Sequence, residues 1–203
     1  MNDESTTLTD IELIRYSRHI TLPQMGQKGQ LKLKESSILV VGVGGLGTPV
    51  LAYLAAAGIG KIGLIDNDEV EESNLQRQIL HNETDINRMK VDSAAEKIKL
   101  MNSHINIFSY PKRLEKENVL EIISDYDLII DCTDNFPTRY LLSDACEIMN
   151  KTWIFGSIHQ FEGQVTTFNY EGSPNYRDLF PNQPPKEMVQ NCEEGGVLGV
   201  LPG

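Results

Sequence analysis

The stretch that most constrains this chain runs from Ser37 to Asp68, SILVVGVGGLGTPVLAYLAAAGIGKIGLIDND. Ile38 to Val41 is a short apolar run rich in β-branched residues, the pattern of a strand buried on both faces. It leads straight into Gly42-Val43-Gly44-Gly45-Leu46-Gly47, a G-x-G-x-x-G. Thr48 to Ala57 reads as a helix stopped by Gly58, and Lys61 to Ile65 as a second buried strand with Asp66 at its end. This is one βαβ unit with glycines at its first turn. Glycine lets the backbone turn tightly and approach a phosphate, and the following helix N-terminus offers unpaired N–H groups and the positive end of its dipole. Asp66 stands where an acidic residue takes a ribose hydroxyl. The unit therefore reads as a nucleotide site. The bland alternative is a set of turn and packing glycines beside an empty crevice.

The alternation continues along the chain. From Asn87 the pattern is helical, with Val91, Ala94, Ala95, Ile98 and Met101 at i, i+3, i+4 spacing. His104 to Tyr110 reads as a strand, Asn118 to Ser124 as a short helix, Asp127 to Cys132 as a buried strand, Thr138 to Asn150 as a helix and Trp153 to Ser157 as another buried strand. Gly163 to Tyr170 alternates and reads as an antiparallel extension. Strands alternating with helices predict an α/β fold, Rossmann-like, with a mostly parallel doubly wound sheet and helices on both faces. Before the βαβ unit, Thr9 to Ile20 reads as a helix and Pro23 to Lys34 as a loop. Gly172 to Gln190 reads as a long loop, functional or disordered. No repeat and no domain boundary interrupts this pattern, so residues 1–203 read as a single domain. The glycine-rich start from Gly195 is not completed before Gly203, so that domain reads as truncated at its C-terminal end.

Charge and cysteine usage narrow the partners. The net charge of −11 over 203 residues argues against a nucleic-acid surface and against an anionic membrane. No run is long and apolar enough to span a bilayer, and the acidic start MNDESTTLTD is no secretory signal. Cys132, Cys146 and Cys192 are unevenly spaced with no C-x-x-C, which points to a reducing cytoplasm and gives no structural zinc site.

Several residues carry chemistry by position. Arg77 lies past the second strand end, where a guanidinium reaches phosphates. Lys90 opens a helix, where a cation opposes the dipole and a phosphate would compensate; the alternative is an ordinary surface lysine. Asp134 follows a buried strand and is placed either to hold Mg²⁺ beside phosphates or to cap the next helix. His81 and His104 read as surface or capping residues, since no second metal-type residue is suitably spaced. Cys192 is flanked by Glu193 and Glu194, which raise a thiol pKa, so on residues alone it reads as a bystander or core residue.

Six ordered motifs together resemble the MoeB/ThiF family of adenylating enzymes, relatives of the ubiquitin-activating enzymes. They are R-Y-x-R-x-I (Arg15 to Ile20), G-x-G-G-L-G (Gly42 to Gly47), D-x-D (Asp66 to Asp68), S-N-L-x-R-Q (Ser73 to Gln78), Lys90 before an amphipathic helix, and D-C-T-D-N (Asp131 to Asn135). The resemblance covers nearly the whole chain. It implies an ATP- and Mg²⁺-dependent adenylyltransferase acting on a small ubiquitin-fold sulfur carrier that ends in Gly-Gly. The carrier carboxylate attacks the α-phosphate, pyrophosphate leaves, and the acyl-adenylate is activated for sulfur transfer. By the same resemblance Asp66 holds the ribose, and Gly42, Gly44, Gly45 and Gly47 form the loop at the nucleotide. Asn74, Arg77 and Lys90 contact phosphates, and Asp134 binds Mg²⁺. Arg18 matches an arginine that reaches the opposite subunit of a homodimer. Cys192 matches a cysteine implicated in a thioester or persulfide relay. The expected pathway is molybdopterin synthesis, with thiamine synthesis and tRNA thiolation as other branches of the same chemistry.

The sequence departs from the pattern in two ways. Many members carry two zinc-binding C-x-x-C pairs, and the stretch from Pro174 to Leu179, where the first would fall, has no cysteine. The form N-Y-R-D-L-F-P followed by C-x-E-G-G-V-L-G resembles the zinc-less subgroup whose longer members append a rhodanese (sulfurtransferase) domain, so a sulfurtransferase partner is implied. On this resemblance the rhodanese domain and the end of the adenylation domain are expected to lie outside these 203 residues, which keeps a nucleotide-binding scaffold without turnover as an alternative. An NAD-dependent oxidoreductase, which the glycine loop alone permits, lacks a Tyr-x-x-x-Lys: Tyr110 is followed by Lys112 and Tyr170 by Pro174.

Overall fold

The computed structural model describes residues 7–185 and 196–203. Six strands form one sheet in the order β3-β2-β1-β4-β5-β6. They are β1 (Ser37–Val41), β2 (Lys61–Ile65), β3 (Asn106–Tyr110), β4 (Leu128–Asp131), β5 (Thr152–His159) and β6 (Glu162–Phe168). The first five are parallel in register, with Val41 beside Ile65 on one flank and Asp131 on the other; β6 returns antiparallel to β5. This is the doubly wound, Rossmann-like arrangement expected from the alternation. The direction of winding reverses between β1 and β4, and a crevice opens there at the carboxyl ends of the strands.

Alternation along β1 fills both faces. Leu39 and Val41 point into one core with Ile129, Trp153, Phe155 and the helices α6 (Val119–Ser124) and α7 (Phe136–Ile148). Ile38 and Val40 point into the other, with Ile62, Leu64, α4 (Gly47–Ala57) and α5 (Lys90–Met101). Both faces are covered, which is why these strands read as continuous apolar runs. Truncating a fully buried member such as Leu51 to alanine is expected to cost about 2–5 kcal/mol.

Three segments differ from the sequence reading. The expected helix over 9–20 is two short helices, α1 (Asp10–Arg15) and α2 (Ser17–Ile20), broken at Tyr16. Tyr16 is buried, and its hydroxyl accepts from the Asn102 amide. The expected loop over 23–34 contains a ten-residue helix, α3 (Gly26–Glu35). Its anchor is polar: buried Gln30 donates to the Ala57 carbonyl at 2.8 Å and pairs with His19 at 2.9 Å. Two glycines and a glutamine anchor leave no apolar stripe to read. The long loop after β6 holds one helical turn, α8 (Tyr176–Leu179). Among the described residues, no helix is long and apolar enough to cross a membrane.

Candidate nucleotide site

The glycine loop sits at the β1 end and is shaped by contact. Gly42 has φ +92°, and a Cβ there would stand 2.9 Å from the Cys132 carbonyl oxygen. A Cβ on Gly47 would overlap the Gly42 carbonyl oxygen. Only glycine permits both positions. The loop leads into α4 without a side-chain cap, so its first N–H groups have no side-chain acceptor.

A cavity of about 690 Å³ lies above the strand ends. Gly42, Gly44 and Gly45 line it; Gly47 does not, and its role is to let α4 pack on the loop. The same wall includes Asp66, Asn74, Arg77, Lys90 and Asp134, so the fold gathers residues scattered over 93 positions of sequence (42 to 134, both ends counted). Lys112, Arg113 and Arg139 add three more cations. A protein of net charge −11 thus places five cationic side chains around one cavity against the three carboxylates of Asp66, Asp68 and Asp134, a local excess of positive charge that favours an anion.

Asp66 accepts from the Val43 N–H at 2.7 Å and the Asp68 N–H at 2.9 Å, tying the β2 end to the glycine loop. Burial pushes its carboxyl above the ordinary value, against the pull of Lys90 and these two N–H groups. A carboxylate has about four acceptor positions, so it retains capacity for a hydroxyl donor. Asn74 is buried and caps a 3₁₀ turn (Glu72–Asn74), accepting from the Glu71 N–H at 3.1 Å. Arg77 donates to the Ser73 carbonyl at 3.0 Å and lies along Gly45. The Lys90 ammonium pairs with Asp68 at 2.9 Å.

Asp134 does not cap α7. That role belongs to Asn135, whose side chain accepts from the Thr138 N–H at 3.0 Å. The Asp134 carboxylate is exposed on the cavity wall and accepts no hydrogen bond from a described residue. Among the described residues no group of three or more His, Cys, Asp or Glu could hold a metal ion. A single carboxylate beside a phosphate site still suits Mg²⁺, which keeps its waters and takes its other ligands from phosphates.

Three expectations fall elsewhere. Arg18 is exposed on α2 and does not line the cavity. Cys192 lies outside the described residues. His81, expected at the surface or as a cap, is 6 % exposed beneath the glycine loop, bonded to Ser93 and the Val43 carbonyl. It was hidden because its segment is built of turns with no periodicity. The thiols that are described are unsuited to nucleophilic work: burial pushes Cys146 up to about 12 and Cys132 higher.

Sequence reasoning missed Arg139. It is buried on α7, stacked near Phe136 and Phe155, and donates to the Thr133 carbonyl at 2.9 Å and to Ser157 Oγ at 3.3 Å. It faces Asp131 at 4.0 Å, whose carboxyl burial pushes up to about 6 against the pull of Arg139. The one available signal was an arginine one turn into a helix that starts at a strand end.

A family model described as "ThiF family" matches residues 16–203. The chain is 50 % identical over 198 residues to "Adenylyltransferase and sulfurtransferase MOCS3" of Culex quinquefasciatus, covering 98 % of this chain and 45 % of the relative. It is 51 % identical over 198 residues to the protein of that name from Drosophila sechellia, covering 98 % and 44 %. The chain therefore spans less than half the length of these relatives. Among solved structures, E. coli MccB with MccA-N7isoASN superposes with TM-score 0.73 at 27 % identity, over 80 % of this chain and 50 % of that one. E. coli tRNA N6-threonylcarbamoyladenosine dehydratase, TcdA, in complex with ATP superposes with TM-score 0.70 at 27 % identity, over 76 % and 63 %.

Proposed function

Since the chain belongs to the ThiF family, we propose that it is an ATP-dependent adenylyltransferase that activates the C-terminal carboxylate of a ubiquitin-fold, Gly-Gly-tailed sulfur carrier. The observation that carries this reading is the convergence of the glycine loop, Asp66, Arg77, Lys90 and Asp134 on one cavity. Relatives named adenylyltransferase, and a neighbour of the same fold that holds ATP, support it.

In this reading the loop N–H groups and α4 take the phosphates, and Asp66 takes the ribose. Arg77, Lys90 and Asn74 hold the phosphate chain in line. Mg²⁺ at Asp134 would neutralise charge on the phosphate oxygens. The carrier carboxylate is ionised at neutral pH and needs no base. Its oxygen forms a bond to the α-phosphorus, the bond to the β-phosphate oxygen breaks, and pyrophosphate leaves with that electron pair. The obstacle is repulsion between a carboxylate and a polyanion. Fixed cations aimed at the developing charge remove it.

The reading extends to a second copy of the chain. Arg18 stands exposed on α2, outside the cavity of its own chain, the neighbouring α1 exposes Ile11 and Ile14, and a homodimer would bring Arg18 to the partner's phosphates. A cytoplasmic location, a relay role for Cys192, a sulfurtransferase partner and the molybdopterin branch belong to the same proposal. The test is exchange of labelled pyrophosphate into ATP with Mg²⁺ and a panel of Gly-Gly-tailed carriers. Exchange with one carrier, abolished by Asp134→Ala, supports the function and selects the branch. ATP binding without exchange with any carrier contradicts it and leaves the scaffold alternative.

A further inference from the structure

Gln78 closes the S-N-L-x-R-Q motif, and the nucleotide reading leaves it without a role. It is 3 % exposed and lines the cavity. Its backbone is fixed by the turn it sits in: the Gln78 N–H donates to the Asn74 carbonyl, and the Gln78 carbonyl accepts from the His81 N–H, both at 3.0 Å. Its side-chain amide has no such partners. Oε1 is enclosed by protein and accepts no hydrogen bond from a described residue. Nε2 donates to no described residue either, and it stands 3.7 Å from where a Cβ on Gly44 would lie. Nε2 is the end that is not enclosed, and the cavity is what the residue opens on.

An enclosed acceptor without a donor destabilises a fold, because the water it bonded in the unfolded chain is not replaced. Methionine, of similar length, would fill the same space with no polar end to satisfy. A glutamine kept here is explained if the amide is held for its other end. That end lies in the phosphate corner of the cavity. Gln78 stands beside Gly44 and Arg77 beside Gly45, so two consecutive side chains flank two consecutive loop glycines. The cations around them are already engaged. Lys90 pairs with Asp68 at 2.9 Å, and Arg77 donates to the Ser73 carbonyl at 3.0 Å. Nε2 breaks no bond within the described protein when it meets a ligand. It can serve only an acceptor, and the acceptor that suits a glycine loop at a helix start is a phosphate oxygen.

We propose that Gln78 is a phosphate-binding residue: Nε2 donates to a phosphate oxygen of the nucleotide beside Gly44, and the enclosed Oε1 is the stability lost in aiming it there. The inference rests on the nucleotide reading above. It couples two effects that a packing role would not. Removing the amide should weaken the nucleotide and leave the fold as stable or more so, the trade expected where a site is kept at the expense of stability.

The test compares wild type with Gln78→Met in two measurements. In thermal melts without ligand the variant should melt at or above the wild-type temperature. In ATP titrations its affinity should fall about 10- to 100-fold, the worth of one hydrogen bond to a charged group. NMR of the wild-type Gln78 side-chain amide needs no variant. Its Nε2 proton signal should move downfield at saturating ATP and stay in place with adenosine, which has no phosphate. A variant that melts well below wild type marks a packing role and overturns the inference. Unchanged ATP affinity in the variant, or an amide signal that ATP leaves in place or adenosine moves equally, overturns it too. Each of these leaves the nucleotide reading intact. Absence of any ATP binding by wild type refutes that reading and this inference together.

Discussion

Lys90 and Asp68 are joined twice: the Lys90 ammonium lies 2.9 Å from Asp68 Oδ2, and the Lys90 backbone N–H donates to the Asp68 carbonyl at 2.9 Å. The side chain of Lys90 is 9 % exposed, that of Asp68 58 %. A cation at a helix start thus acquires a carboxylate partner that can swing away. Lys90→Met should weaken ATP about 10- to 100-fold, the worth of one charged hydrogen bond. Asp68→Asn removes an anion that competes with phosphates for the ammonium. Because that pair is half-exposed, ATP should tighten only severalfold, and less at high salt. ATP titration at two ionic strengths checks both.

The glycines separate into two kinds. A methyl group on Gly47 would overlap the Gly42 carbonyl, whereas one on Gly45 meets Arg77 and Pro202 at an ordinary 3.5 Å. Gly47→Ala should destabilise the fold by about 1–3 kcal/mol or more and lose ATP binding. Gly45→Ala should keep its melting temperature within a few degrees, about 1 kcal/mol, while ATP affinity falls because the methyl enters the cavity wall. Thermal melts and ATP titrations of the two variants distinguish packing from lining.

Asp85 gives the fold a pH dependence of defined sign. It is fully buried, with Arg88 at 2.8 Å and Lys97 at 3.2 Å. Burial works to raise its carboxyl, but the Asn82 N–H, Lys97 and Ser93 outweigh it, and the carboxyl is held below its ordinary value. A lowered folded pKa stabilises the protein above the unfolded pKa of about 3.9, and that stability is lost as pH falls through the lower folded value. Asp85→Asn should cost about 1–3 kcal/mol at pH 7, since Arg88 and Lys97 keep access to water and are not left as buried unpaired charges. The gap from wild type should narrow below pH ~4. Denaturant melts across that range test it.

A homodimer that shares Arg18 between copies can be tested by mixing. Arg18→Ala and Asp134→Ala should each be inactive in pyrophosphate exchange. Co-refolded in equal amounts, they should recover about a quarter of wild-type activity, since half the dimers are mixed and each has one intact site. Recovery near zero would place Arg18 in its own chain's site, and an active Arg18→Ala would place it outside catalysis.

The sheet was legible because buried parallel strands and their glycine turns leave strong local marks. Ile38–Val41, Gly42 to Gly47 and Gly58 all stand where the pattern put them. Polar anchors were not legible. Gln30, His81 and Arg139 are buried by tertiary partners far along the chain, and nothing in their neighbours' periodicity announces this. Asp68 stood in the D-x-D motif, yet its pairing with Lys90 depends on the β2 end meeting the start of α5, which only the fold shows. Asp134 was undecided between metal and cap. The Asn135 cap removes one alternative and leaves the carboxylate on the cavity wall.

The most direct test follows the label. The chain is incubated with a Gly-Gly-tailed carrier, Mg²⁺ and ATP labelled at either the α- or the γ-phosphate, and the carrier is examined under mild acid. Label on the carrier from α-labelled ATP and none from γ-labelled ATP is the expected result, since the carboxylate attacks the α-phosphorus. Label from the γ position, or none from either with ATP bound, would contradict the account.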